Sequence, residues 1–490
     1  MPRFDHMCRS RGCTHPNNNN GASSSNGNAA LAGAGLLSKA YHSLETLLKA
    51  AWTRDLRHGV SPPSSPCWLT LWPSCGQIRA TQRKEFKLAK VLSSTNETQQ
   101  PNGDAQIIYH PSEIARVENE LRDSILDACS DFEHSLIGGD KDYLRSLHQR
   151  AKLNAPGMDG RKLLALYKKY SHFFRKGDDI NPAKIKPVMY LAPQHTRWGD
   201  LFVLVRSLWS MPYNKGYGRR LRFVVFDEHH EAVIGIIGLQ SPPADLGCRD
   251  DLFDYPKGRK LDMVNFTMDA FSVGAVPPYS YLLGGKLCAG LIASDPVRQA
   301  YWQQYAGKKS EMWQSTIRQP LAAVTTTSAF GRSSMYNRLT HEGRLLAEPI
   351  GYTLGYGTLH LEHLYSNVRA YLEMSGEYNN GGFGSGPKAR WQNLVTALGK
   401  LGLSGSLLRH GVKREVFLYK LVDDLDTGMA GGTFGKPRAL SCNDHSQYWL
   451  ERWALGRAKR FPDWNKQDAR EVIAQTLAQI PRSDTNPATA

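Results

Sequence analysis

The sequence predicts an α/β or α+β protein, with a mixed-sheet core of acyl-CoA-binding type at residues 185–360 and helical N- and C-terminal regions. Three runs of residues carry that reading. In Leu221–Leu239 two apolar, β-branched stretches flank a polar turn at Asp227–Glu231, the pattern of a β-hairpin. Phe266–Val273 reads as a further strand; after Pro277 and Pro278, Gly284 and Gly285 open an apolar helix that runs to Ile292. Leu321–Ser328 is another strand, and Ser333–Leu339 is predicted to begin the next helix. Strand, glycine turn and helix in that order present backbone N–H groups to an anionic diphosphate.

Other elements follow from periodicity and composition. Residues 1–30, with Asn17–Asn20 and Ser23–Ser25 among glycines, have the composition of a disordered lead. The region 31–184 is expected to be mainly helical and basic. Ile114, Val117, Leu121, Ile125 and Leu126 form an apolar stripe over Pro111–Cys129. Lys186–Leu191 starts the mixed α/β part, Pro349–His360 holds a last strand and loop, and 361–482 is expected to be a helical basic region.

A chain of 490 residues is long enough for two to four domains, and a 41% apolar fraction supplies their cores. No apolar stretch approaches the twenty residues of a membrane span, and Met1–Cys8 lacks the apolar centre of a secretory signal. Eight irregularly spaced cysteines point to reduced thiols and a cytoplasmic setting. No metal site is expected. Cys8, Cys13 and His15 lack a fourth ligand, and His360, Glu362 and His363 do not form His-Glu-x-x-His.

The formal charge of +16 favours a polyanionic partner. Between Lys141 and Lys176 there are ten Lys or Arg against two acids, interleaved with Tyr143, Tyr167, Tyr170, Phe173 and Phe174. Lys168, Lys169, Arg175 and Lys176 are therefore candidate phosphate contacts, and a solvated helix face is the competing explanation. From Gly386 to Lys420 the balance is seven basic residues to one acidic. Lys388 and Arg390 lie on a helix opened by Pro387, and Lys413 and Arg414 follow the turn at Gly402–Gly405. That order suits a helix-turn-helix-like contact, or a glycine-rich lid followed by packing helices. The expected partner is nucleic acid, DNA first.

For chemistry in the core, the amides of Gly284, Gly285 and Lys286 are placed to hold the diphosphate of acetyl-CoA or another acyl-CoA, with Lys286 adding charge. Tyr336 is the candidate acid for a thiolate leaving group, and Asp269, inside a strand, the candidate base. An aromatic that only anchors the sheet is the alternative role for Tyr336. Arg249, Asp250, Asp251 and Asp254 form a charged cluster suited to a substrate amine, to a divalent ion or, equally, to capping a loop.

The run Gly218–Asp227, the Ile234–Gly238 strand, Cys248-Arg249-Asp250, Thr325–Phe330 and Gly331–Tyr336 together resemble the DruA-like family of the Druantia anti-phage system, DUF4338. The resemblance covers residues 185–360 and extends more weakly over Gly382–Leu421. It implies a GCN5-related N-acetyltransferase-like core, a role in prokaryotic phage defence, and defence-system helicase or nuclease proteins as partners. Arg249 and Asp250 are similar to the family's Arg-Asp pair and Tyr336 to its Gly…Tyr element. Asn337–Leu339 departs from the family's continuation toward Trp, as do the long N-terminal region and Leu282–Gly285. Three functions remain open: a nucleic-acid-contacting defence protein, an active N-acyltransferase acting on an amine, and a scaffold with no small-molecule site.

Overall fold

A computed structural model describes residues 110–137, 141–153, 159–211, 218–309, 316, 321–379 and 387–480. The expected disordered lead and the Cys8, Cys13 and His15 group lie outside the described residues.

The centre is a seven-stranded mixed sheet in the order β1-β2-β3-β4-β5-β9-β8. Its strands are β1 (Pro187–Leu191), β2 (Arg220–Asp227), β3 (Ala232–Gln240), β4 (Thr267–Ala275), β5 (Ala323–Thr327), β8 (Glu348–Tyr352) and β9 (Glu415–Lys420). Two-residue strands β6 (Thr340–His341) and β7 (Arg344–Leu345) form a separate hairpin. All neighbours in the large sheet are antiparallel except β4 and β5, which run parallel from Thr267↔Ala323 to Ala270↔Thr326. A parallel pair needs a long crossover, and the chain from Val276 to Ala322 supplies it. Between β3 and β4 the register moves from Gly238↔Ser272 to Leu239↔Ala270, leaving Phe271 as the extra residue of a bulge. Both edges carry a proline, Pro187 and Pro349, where a missing N–H costs no ladder bond.

Helices of the described residues include α1 (Pro111–Ile137), α2 (Lys141–Leu153), α3 (Gly160–Tyr170), α4 (Arg197–Arg206), α5 (Gly247–Asp250), α6 (Gly284–Gly290), α7 (Asp295–Tyr305), α8 (Tyr365–Met374), α9 (Pro387–Lys400), α10 (Cys442–Trp449) and α11 (Ala469–Ala478), besides further short helices and turns. On one face of the sheet Ile237, Leu239, Met268, Val324 and Phe417 pack with Leu287 of α6 and Trp449 of α10. On the other, Val224, Phe226 and Ile236 meet Leu201, Phe202 and Val205 of α4 and Ile473 of α11. A further core joins Val117, Leu121 and Ile125 of α1 to Val368 and Leu372 of α8 and Leu394 and Leu398 of α9. Of the stripe read from the sequence, Val117, Leu121 and Ile125 are buried, Ile114 is half-buried and Leu126 is exposed.

Two expectations are corrected. The C-terminal region is not purely helical: Glu415–Lys420 enters the sheet as β9 between β5 and β8, so no second helix of a helix-turn-helix follows α9. Val416–Tyr419 is covered on both faces, and a strand buried on both sides has a continuous apolar run with no alternation to reveal it. Ser333–Leu339 is a series of turns rather than a helix start, with Arg338 in the left-handed region at φ 57°.

Candidate functional site

The glycine pair lies at the start of α6, where the chain leaves Leu283 at φ 62°. A Cβ on Gly284 would stand 2.7 Å from the Tyr279 carbonyl and 3.0 Å from the Ala275 side chain, so glycine lets α6 seat against β4. On Gly285 it would meet Met335 Sδ at 3.2 Å. Lys286 Nζ donates to the carbonyls of Asn337 at 2.9 Å and Met335 at 3.4 Å. Burial, with Arg338 next, pulls its pKa down to about 8. Trp449 Nε1 of α10 donates to the Leu283 carbonyl at 3.0 Å. The helix start expected to face a diphosphate is packed against the 335–337 turn and α10.

Tyr336 and Asp269 lie on opposite faces of the sheet. Tyr336 is 4% exposed, packs with Met268 and Ala270, and stands 5.1 Å from Phe417 between ring centroids. Its hydroxyl lies 3.3 Å from that of Thr326, which donates to the Ala270 carbonyl at 3.0 Å. Burial pushes the phenol above its ordinary range. Asp269, between Met268 and Ala270 in a regular strand segment, points the other way. It accepts from Thr325 Oγ1 at 3.0 Å and Gln240 Nε2 at 3.4 Å. Burial raises its pKa, and those two hydrogen bonds with the charges of Arg414 and Arg249 draw it partly back.

Arg249 and Asp250 clamp a loop. The Arg249 side chain is 1% exposed; it donates to the carbonyls of Pro243 at 2.9 Å and Ala244 at 3.2 Å, and to Asp250 Oδ1 at 2.8 and 2.5 Å. Asp250 Oδ2 accepts from the Leu246 amide at 2.9 Å and from Lys260 at 2.8 Å. Burial raises the Asp250 carboxyl, but Lys260, the Leu246 amide and Arg249 outweigh it and hold the pKa low. Arg249→Lys keeps the charge and loses the planar fork, so a stability loss of about 1.5–3 kcal/mol is expected in urea denaturation. An unchanged midpoint would show that the loop stands without the fork.

The cations divide into outward and inward groups. Lys168 and Lys169 are exposed on α3, opposite its buried Leu163 and Tyr170, and the Lys169 ammonium lies 5.0 Å over the Tyr170 ring. Lys176 and Lys413 are exposed as well. Arg175 donates to the His230 carbonyl at 2.9 Å, and Lys388 is in the first turn of α9. Arg390 turns inward, pairing with Glu362 at 2.6 Å over the ring of Tyr365. Arg414 is half-buried with its guanidinium in the field of Asp269, and burial lowers its pKa.

One feature was not read from the sequence. An open groove of about 540 Å³ lies at the β1 edge, with Phe173, Tyr190, Trp198 and Phe226 among its walls. Trp198 is held in the first turn of α4, where Thr196 Oγ1 accepts from the Gly199 amide at 3.1 Å. A Cβ on Gly199 would strike the Pro193 carbonyl at 2.1 Å, so glycine permits this close helix start. Tyr190 comes from a strand and Trp198 from a helix, a pairing that no spacing rule indicates.

No solved structure matches this chain. The family model described as "Druantia protein DruA" matches residues 139–431, a stretch that contains every strand of the sheet. A curated relative, "Druantia protein DruA" of Escherichia coli (strain UMEA 4076-1), is 34% identical over 356 residues, covering 71% of this chain and 88% of the relative. A family model that matches more than half of the chain and a relative of this identity and coverage show that the chain belongs to the DruA family.

Proposed function

We propose that this protein serves in anti-phage defence of the Druantia type and contacts nucleic acid, DNA first, through the cationic surface around α3. The observation that carries the contact is the exposure of Lys168, Lys169 and Lys176 in a segment with ten basic residues and two acids. Cations left outward in such a density neutralise phosphates and release counterions. Work in the cytoplasm beside a helicase or nuclease of the same system fits that chemistry. Among the described residues no helix is long and apolar enough to cross a membrane.

A second reading, an N-acyltransferase using acetyl-CoA or another acyl-CoA on an amine, draws support from the layout of the sheet. The strand β4, the glycine pair at the start of α6 and the later strand β5 follow the order expected of such a core. For Gly284, Gly285 and Lys286 to hold a diphosphate, the 335–337 turn must first release Lys286, which it now binds through two carbonyls. For Asp269 and Tyr336 to share one reaction, the substrate must reach both faces of the sheet. These requirements favour the sheet as a scaffold over an acyl-CoA enzyme, and calorimetry with acetyl-CoA separates the two: saturable binding restores the enzyme.

The nucleic-acid reading is tested by salt-titrated binding of a 20-base-pair duplex to the wild-type protein and to the triple variant Lys168→Glu, Lys169→Glu, Lys176→Glu. Loss of three phosphate contacts is expected to reduce the slope of log affinity against log salt by about 2.7. No binding at low salt, or an unchanged slope, overturns it.

A further inference from the structure

The groove at the β1 edge is built for stacking. Tyr190 and Trp198 lie parallel, with ring centroids 4.1 Å apart and planes inclined by 6°. The Arg197 guanidinium carbon stands 4.4 Å from the centroid of the Trp198 ring and sets a positive charge beside it. Phe226 presents itself edge-on to both rings at 5.3 and 6.0 Å and forms the floor, and Phe173 is edge-on to Phe226 at 5.5 Å. Tyr190 and Trp198 are only half-buried, although both adjoin an apolar core. Flat, open aromatic surface of this kind is costly to leave in water and is what a planar ligand covers.

The charges around it select the ligand. Glu228 is neutralised by Lys186 at 3.0 Å and accepts from the Tyr190 hydroxyl at 2.9 Å. Glu231 faces Arg175 at 4.0 Å. With both acids matched, the groove does not carry the surplus negative charge that a quaternary ammonium or lysine-rich ligand requires. Arg197 is exposed and, among the described residues, pairs with no carboxylate. The basic run is tied directly to these walls: Phe173 belongs to it, Arg175 binds the His230 carbonyl at 2.9 Å, and Tyr170 donates to Asp200 of α4 at 3.0 Å. Lys168, Lys169 and Lys176 thus belong to the same basic run as Phe173 of the groove wall.

We infer that this groove is a base-stacking subsite for single-stranded nucleic acid, in which an unpaired base lies against the Tyr190–Trp198 stack while its phosphates follow Arg197 and the α3 cations. The inference rests on the nucleic-acid reading above and specifies the form of the partner. In a duplex both faces of each base are already stacked, so only a single strand or an extruded base offers a face to the groove. About 540 Å³ lies within the roughly 300–1,000 Å³ of small-ligand pockets and admits one nucleotide without the strand.

The test uses the full chain, a fluorescein-labelled 20-nucleotide oligothymidine and the corresponding duplex, read by anisotropy at low salt. Trp198→Leu and Tyr190→Leu are each expected to weaken single-strand binding about 10- to 100-fold and to leave duplex binding within about twofold. Lys168→Glu with Lys169→Glu is expected to weaken both. To separate binding from any effect of the substitutions on folding, unmodified protein is also photocrosslinked to an oligonucleotide carrying 5-bromodeoxyuridine, and the adduct is expected on Tyr190 or Trp198. Equal loss for both nucleic acids in the leucine variants with intact melting, or crosslinks confined to other residues, overturns the groove while the cationic surface stands. Capture of a lysine-rich peptide in place of the oligonucleotide also overturns it. No binding of either nucleic acid by the wild type overturns both readings.

Discussion

Near pH 5 the protein is expected to lose stability at about 4 kcal/mol for each unit of acidification, the slope produced by three protons taken up on unfolding at about 1.4 kcal/mol each. The three groups are His148 and His410, with pKa pulled down to about 4, and His445, pulled down to about 3. Burial is the largest cause in each. His148 also faces Arg414 and His410; His410 faces His360 and Arg414; His445 faces His341. Nδ1 of His148 is buried without a hydrogen-bond partner among the described residues, so an added proton there finds no acceptor, and the Lys286 backbone draws the His445 pKa only partly back. The folded values lie below the ordinary 6.5, so this stability is complete above pH 6.5 and is lost as pH falls toward the folded values. Urea denaturation at pH 7, 6, 5 and 4.5 measures the slope. His148→Leu should reduce it by about one third, since one of the three protons disappears. A flat profile between pH 6 and 4.5 would mean that these rings reach water or a carboxylate in the folded protein.

Tyr336→Ala is expected to cost about 3–5 kcal/mol, because a buried ring packed on Phe417 leaves a cavity in the main core. Tyr336→Phe is expected to cost about 1 kcal/mol or less, since Thr326 keeps its bond to the Ala270 carbonyl when the phenol is removed. The pair separates packing from chemistry. If the phenol protonates a thiolate, the Phe variant cuts thioester cleavage about 10- to 1000-fold with its thermal midpoint unchanged. The burial of the ring and the position of Asp269 on the other face lead to the opposite expectation: both stability and any thioester cleavage survive in the Phe variant.

Much of the fold was legible along the chain. The hairpin at Leu221–Leu239, its polar turn, the strand at Lys186–Leu191 and the apolar stripe of α1 all express local rules, turn chemistry and periodicity, that act over a few residues. The Arg249–Asp250 cluster was also visible, because the two residues are adjacent and their contacts reach only back to Pro243 and Ala244 and on to Lys260. Val416–Tyr419 was not legible as a strand, because burial on both faces erases the alternation that marks a half-buried one.

What each charged or aromatic side chain faces was decided by tertiary structure alone. Arg390 and Lys168 look alike in a basic run, yet Glu362 lies 28 positions before Arg390 and draws it inward, while Lys168 stays in water. Tyr336 and Asp269 were grouped by chemical type, and the alternation of β4 sends them to opposite faces. Tyr190 and Trp198 meet only because β1 and the first turn of α4 converge at the sheet edge. The amino-acid sequence by itself determined the elements, since their propensities and periods are local. The sites came from the packing of those elements, since a contact between distant residues exists only once the chain has closed on itself.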